Sequence, residues 1–215
     1  MRRLHIARIA AAGATAAGAV LATIFGCATG PTSDDELNAK AAAVLRASFK
    51  EQGQAKLDRL DQDDAQKTCT EYSGKPLPTE VAQRIEKENL ASITWPADGK
   101  YLGSWQNGEK IAQEGRGMQY SDDPASPSGA NCYACHQLAP QELSYGTIGP
   151  SLYQFAKLRG YSEDTRKYAW GKVYNPEAFA ACSNMPRFGH SSILTEAQIR
   201  DVVALLVDPD SPVNK

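Results

Sequence analysis

The stretch Asn131–His136, which reads N-C-Y-A-C-H, constrains this chain more than any other. Two thiols separated by two residues, with an imidazole directly after, can bond the two vinyl groups of one haem while the imidazole reaches the iron. Two other chemistries use part of the pattern. A redox dithiol needs Cys132 and Cys135 but has no use for His136. A zinc site needs two more ligands at short spacing, which the sequence does not supply. The motif occurs once, so the expectation is one covalent haem c, attached through Cys132 and Cys135 with His136 on the iron.

Thioether attachment implies export, and the front of the chain reads that way. Arg2, Arg3 and Arg8 precede a run of Ala, Gly, Val, Leu and Ile that carries no charge up to Gly26, so residues 1–26 are expected to be an export signal. The 18-residue run from Ile9 to Gly26 is also at the lower limit for a membrane span, but its Ala and Gly content makes it weakly hydrophobic. Two processing routes stand open. Ile24-Phe25-Gly26-Cys27 resembles a lipobox, which would lipidate Cys27; cleavage after Ala28 would discard it instead. Loss of the three arginines takes the formal charge from −2 to −5, which excludes a basic field for nucleic acid. The expected location is the bacterial periplasm, with Cys27 as a candidate lipid anchor.

Cysteine parity follows. Of five cysteines, Cys27 is lipidated or removed and haem takes Cys132 and Cys135, which leaves Cys69 and Cys182 in an oxidising compartment. They are expected to form a disulfide. The competing reading makes Cys182 a reactive thiol, three residues before a candidate iron ligand at Met185.

Periodicity elsewhere is helical. Leu37, Ala41, Val44, Leu45 and Phe49, then Leu57 and Leu60, share a helical pattern from Asp34 to about Gln66, with a break at Gly53. Thr79 is expected to cap a helix carrying Val81, Ile85 and Leu90, and Asn107 one carrying Ile111 and Ala112. Leu152, Phe155 and Leu158 read as a helix ended by Gly160, and Ser162–Trp170 as another; Asn175-Pro176 marks a further start. Thr195-x-x-Gln198 is a capping box before Ile199, Val202, Val203 and Leu206, with Pro209 as the stop. The expected fold is all-α: residues 1–26 as signal, 27–100 as a helical extension packed onto the rest, and 101–215 as a cytochrome c-like haem domain. At 42% hydrophobic and 22% charged the chain can bury a core of that size.

The sixth iron ligand comes from Met185, His190 or Met118. Met185 lies in C-S-N-M-P-R-F-G, 49 residues after His136 and just ahead of the final helix. That is where class I cytochromes c, which this part of the chain resembles, place their methionine. In the same resemblance Gly149-Pro150-x-Leu152 passes beneath the haem, and the Pro150 carbonyl accepts a hydrogen bond from His136. Arg187 and Lys172 are candidate propionate partners. Tyr133, Tyr153 and Trp170 read as haem packing or interface.

The segments G-A-N-C-Y-A-C-H-Q, Y-G-T-I-G-P-S-L-Y, C-S-N-M-P-R-F-G-H and I-L-T-E-A-Q-I-R-D-V-V-A-L-L resemble the SoxX family, the small c-type cytochrome subunits of thiosulfate-oxidising SoxAX complexes. The resemblance runs from about Leu57 to Asn214. It implies haem bonds from Cys132 and Cys135 and iron ligands His136 and Met185. It also implies a SoxA-type cytochrome partner that joins thiosulfate to a cysteine of a sulfur carrier protein. This chain would then take up the released electrons and pass them to a downstream acceptor, with no catalytic residue of its own. A freestanding periplasmic electron-transfer cytochrome is the other expectation.

Overall fold

The sequence Glu196–Val207, E-A-Q-I-R-D-V-V-A-L-L-V, has too many apolar residues to leave a wide polar face, so it must be surrounded. The structure, a computed structural model, describes residues 33–215; the expected export signal and Cys27 lie outside them. Seven α-helices are described: α1 (Asp34–Ser48), α2 (Asp64–Glu71), α3 (Thr79–Ala91), α4 (Trp105–Gln113), α5 (Phe155–Arg159), α6 (Glu163–Tyr174) and α7 (Glu196–Val207). Short 3-10 turns occupy Leu57–Leu60, Cys132–Ala134, Pro176–Ala178 and Pro212–Asn214. Among the described residues there is no β-strand, and no helix is long and apolar enough to cross a membrane.

α7 is the axis of the core. Thr195 and Gln198 close the expected capping box at its start, and Ile199 and all residues from Val202 to Val207 are buried. α4 crosses it, and the contact is close because Gly108 faces the α7 backbone: an added Cβ would run into the Asp201 carbonyl. Gly103 N donates to Arg200 O (3.0 Å) and Ser104 N to Asp201 Oδ1 (2.7 Å), pinning the entry of α4 to the same turn of α7. α6 packs on α7 through Ala169, Trp170 and Val173, and the Trp170 indole donates to Thr94 O at 3.0 Å. At the C-terminus Asn214 bridges two elements. Its Nδ2 donates to Leu206 O (3.1 Å) and Asp208 O (2.9 Å), while its Oδ1 accepts from Ala156 N (3.0 Å).

The chain divides into two compact units between Ala43 and Val44, within α1. In the first, α1 opens on Asp34, Asp35 and Glu36, acidic groups that suit a helix N-terminus, and Glu36 pairs with Lys40. The second unit, 44–215, holds α2 and α3 as well as the helices around α7. Asn175 Nδ2 donates to Asn89 Oδ1 (2.8 Å) and Ser92 Oγ (3.1 Å), a buried polar join between α3 and the chain leaving α6.

Several boundaries differ from the sequence expectation. The pattern from Asp34 to about Gln66 is α1, a turn at Gly53 (φ +53), a 3-10 turn and the start of α2, and Val44 and Leu45 stay exposed. Asn107 is not a cap: the chain stays extended through Ser104, whose hydroxyl accepts from Asn107 N, so the helix starts three residues earlier. Thr79 is the first residue of α3 and Pro78 stands at its cap without a side-chain bond. Asn175 does accept from Glu177 N, but the turn it starts is a three-residue 3-10 turn.

Candidate haem-attachment site

Asn131 adopts the left-handed conformation (φ +44) and turns the chain into Cys132–Ala134, after which His136 N donates to Cys132 O at 2.9 Å. One helical turn therefore carries both thiols and the imidazole. The segment Gly146–Leu152 is laid along this turn by three backbone bonds of 2.8 Å: Gly146 N to Tyr133 O, Gly149 N to Cys135 O, and Leu152 N to Gln137 O. The glycines allow the approach. A Cβ on Gly146 would strike the Ala134 carbonyl, and one on Gly149 would sit 2.7 Å from His136 Nε2, inside the ring's van der Waals envelope.

This packing places His136 Nδ1 2.7 Å from the Pro150 carbonyl oxygen. The carbonyl can only accept, so Nδ1 carries the proton and the Nε2 lone pair is left for a metal. Among the described residues, Cys132 and Cys135 are not joined to each other or to another cysteine. Burial pushes the Cys132 thiol up to about 12, the opposite of the depressed value a redox dithiol needs. Among the described residues no three His, Cys, Asp or Glu cluster as a metal site, which leaves the zinc reading without ligands. Two unpaired thiols, one imidazole with a fixed tautomer and a surrounding apolar core of Tyr133, Leu138, Phe155 and Phe188 fit a covalently held haem.

The structure places the other candidates as follows. Met185 is half-buried and packs against the core, with its amide donating to Ser183 Oγ at 3.3 Å. His190 is turned to α3, Nδ1 lying 3.3 Å from Ser92 Oγ. Met118 sits at φ +60 in the loop after α4, where its carbonyl accepts from Arg59. Cys69 and Cys182 are bonded, which closes a link across 113 residues and removes the free-thiol reading of Cys182. Arg187 faces carboxylates, Asp63 at 2.6 Å and Glu177 at 3.9 Å, and Lys172 Nζ lies over the Phe179 ring, 5.4 Å from its centroid. Tyr133 and Trp170 are core residues; the Tyr153 hydroxyl donates to Lys215 O.

Two features were absent from the sequence reading. Leu143 and Ile148, on the stretch that follows the haem turn, are exposed, Ile148 next to Gly149; a lone apolar residue in a loop carries no periodic signal. Asp63 and Glu86, which hold the Met185 segment, also went unnoticed, since an acidic residue on a polar helix gives no sign of a distant partner.

The cytochrome c family model matches residues 106–208. A protein of Aquifex aeolicus (strain VF5) named as an uncharacterized lipoprotein is 41% identical over 160 residues, 72% of this chain and 73% of that protein. With one attachment turn, an imidazole whose Nε2 is left for a metal and α4 crossing α7, residues 106–208 form a cytochrome c domain that carries covalently bound haem c.

Proposed function

We propose that this chain is an exported one-electron carrier whose iron is ligated by His136 and Met185. Haem c supplies a one-electron Fe(III)/Fe(II) couple. Cys132 and Cys135 hold the group by thioethers, so it stays attached in both oxidation states. Pro150 fixes the His136 ring and, by accepting its proton-bearing nitrogen at 2.7 Å, raises the basicity of the other. That single contact carries the reading, because it fixes the His136 ring and leaves its Nε2 free to bind the iron. Were Met185 to ligate the iron as well, the group would offer no position to a substrate, and the chain's residues would orient the haem, exclude water and present one edge. Exposed Leu143 and Ile148 supply apolar surface beside that turn. The name of the Aquifex aeolicus relative supports export and anchoring through a lipid on Cys27.

A second reading rests on the resemblance of four sequence segments to the SoxX family. In it the chain is the electron-accepting subunit of a SoxAX-type complex, beside a SoxA-type cytochrome that joins thiosulfate to a carrier cysteine. One preparation tests both: untagged protein solubilised from its native membranes and periplasm, run on a haem-stained gel and examined by absorption in both oxidation states. A low-spin spectrum that does not change with carbon monoxide supports the carrier, and carbon monoxide binding to the native reduced protein refutes it. Copurification of a second haem-bearing chain of SoxA size, with thiosulfate-dependent reduction, supports the complex. This chain alone supports the freestanding carrier.

A further inference from the structure

The segment carrying Met185 is fastened from outside the helices that surround the haem turn. Among the described residues, the polar and covalent tethers of residues 181–186 run to α2 and α3. Ala181 N donates to Glu86 Oε1 of α3 at 3.3 Å, and Cys182 is bonded to Cys69 of α2. Among the described residues Met185 itself has only its local bond to Ser183. One residue beyond Pro186, Arg187 pairs with Asp63 at 2.6 Å, and its side chain is nearly buried. Asp63 is the cap of α2, accepting from Gln66 N, and Cys69 lies in the second turn of the same helix. A single eight-residue helix thus grips both ends of the Cys182–Arg187 span, with Met185 between. Cys182 is held at φ +59, a left-handed conformation costly for a residue with a side chain, which persists where surrounding links over-determine it.

A thioether is a neutral, weak donor, so its bond to iron depends on where the chain holds the sulfur. Ligand geometry must be kept within about 0.5 Å by supporting residues. We propose that α2 is the positioning element for the sixth iron ligand. Asp63 acting through Arg187, and Cys69 acting through Cys182, hold the turn so that Met185 reaches the iron, and unfastening α2 opens that position to a small ligand while Cys132, Cys135 and His136 keep the haem in place. The proposal rests on Met185 being the ligand.

The test uses full-length holoprotein. Four variants are compared with the wild type: the double replacement Cys69→Ser with Cys182→Ser, Asp63→Asn, Met185→Ala, and Val203→Ala. Val203 is buried on α7, so the last lowers stability without touching the clamp. Three quantities are read well below each melting temperature: the long-wavelength charge-transfer band of a methionine-ligated ferric haem, the reduction potential, and carbon monoxide binding to the ferrous form. The clamp variants are expected to weaken the band, lower the potential and raise apparent carbon monoxide affinity about 10–100-fold, the usual effect of losing a residue that supports a ligand. Val203→Ala is expected to melt lower with an unchanged band. Asp63→Asn carries the test alone where the double variant does not fold. Clamp variants that keep the full band and exclude carbon monoxide overturn the proposal with Met185 ligation intact. A band that survives Met185→Ala overturns the ligand assignment instead, and the proposal with it.

Discussion

Replacing Gly108 by Ala sets two effects against each other. Alanine is favoured over glycine inside a helix by about 0.8–1 kcal/mol. Here, however, the added Cβ would run into the Asp201 carbonyl oxygen and lie 2.7 Å from its carbonyl carbon and 3.0 Å from Leu205 Cβ. Two of those three atoms are backbone of a buried helix, so no change of rotamer relieves the clash and α4 must move off α7. Overpacking typically costs about 1–3 kcal/mol, and a backbone clash belongs at the upper end. A gap of roughly 0.5–1 Å forfeits a quarter to a half of each contact's attraction along the interface. Against the propensity gain, the net loss is about 2 kcal/mol. For a chain of this length each kcal/mol moves the melting temperature by about 2–4 °C, so the holoprotein should melt about 4–8 °C lower. Far-UV circular dichroism of wild type and variant, scanned reversibly, measures it. Gly115→Ala is the control for adding a Cβ without a clash, since it would meet the Asn131 side chain at ordinary distances of 3.7 and 3.9 Å. A Gly108→Ala protein that melts at or above the wild type would refute the crossing argument, because propensity alone would then have decided the sign.

Gly149→Ala should push the His136 ring off the Pro150 carbonyl and leave a ferric spectrum of mixed spin; an unchanged spectrum and potential would mean the ring can yield without cost. Thiol titration of the denatured, oxidised holoprotein should find none of Cys69, Cys132, Cys135 or Cys182, whereas two titratable groups would contradict the disulfide or the thioethers. Removing the Cys69–Cys182 bond should lower stability by about 4–5 kcal/mol in the chain-entropy treatment of so long a loop, read as a shift in urea midpoint; a loss under about 1 kcal/mol would place the bond's effect outside that treatment. Asp98 is held at about 2, below its ordinary 3.8, chiefly by hydrogen bonds from Arg200 at 2.8 and 3.1 Å. Its folded-state value is depressed, so its contribution is complete above about 3.8 and is lost as the pH falls through about 2. Asp98→Asn should flatten that part of an acid titration of stability, and an identical acid limb would show the pair to be without effect.

How much of this could be read in advance depended on whether a residue's partner was local or could be reached by exclusion. The haem turn needed six consecutive residues, and the α7 cap needed Thr195 and Gln198 three apart; both signals lie within one turn of chain. Ser104 was overlooked as a cap because Asn107, an equally good cap by type, stood three residues on, and only the extended backbone at Ser104 decides between them. The disulfide crosses 113 residues, yet it was legible because assigning the other three of five cysteines left just two. Asp63 and Arg187 are as far apart and sit beside the same helix, but no such count exists for them. With 25 acidic and 23 basic residues to pair, elimination has nothing to eliminate. The disulfide implies that α2 lies against residues 182–187, but nothing local marks Asp63 as the partner of Arg187, which is why the covalent link could be read from sequence and the ionic one could not.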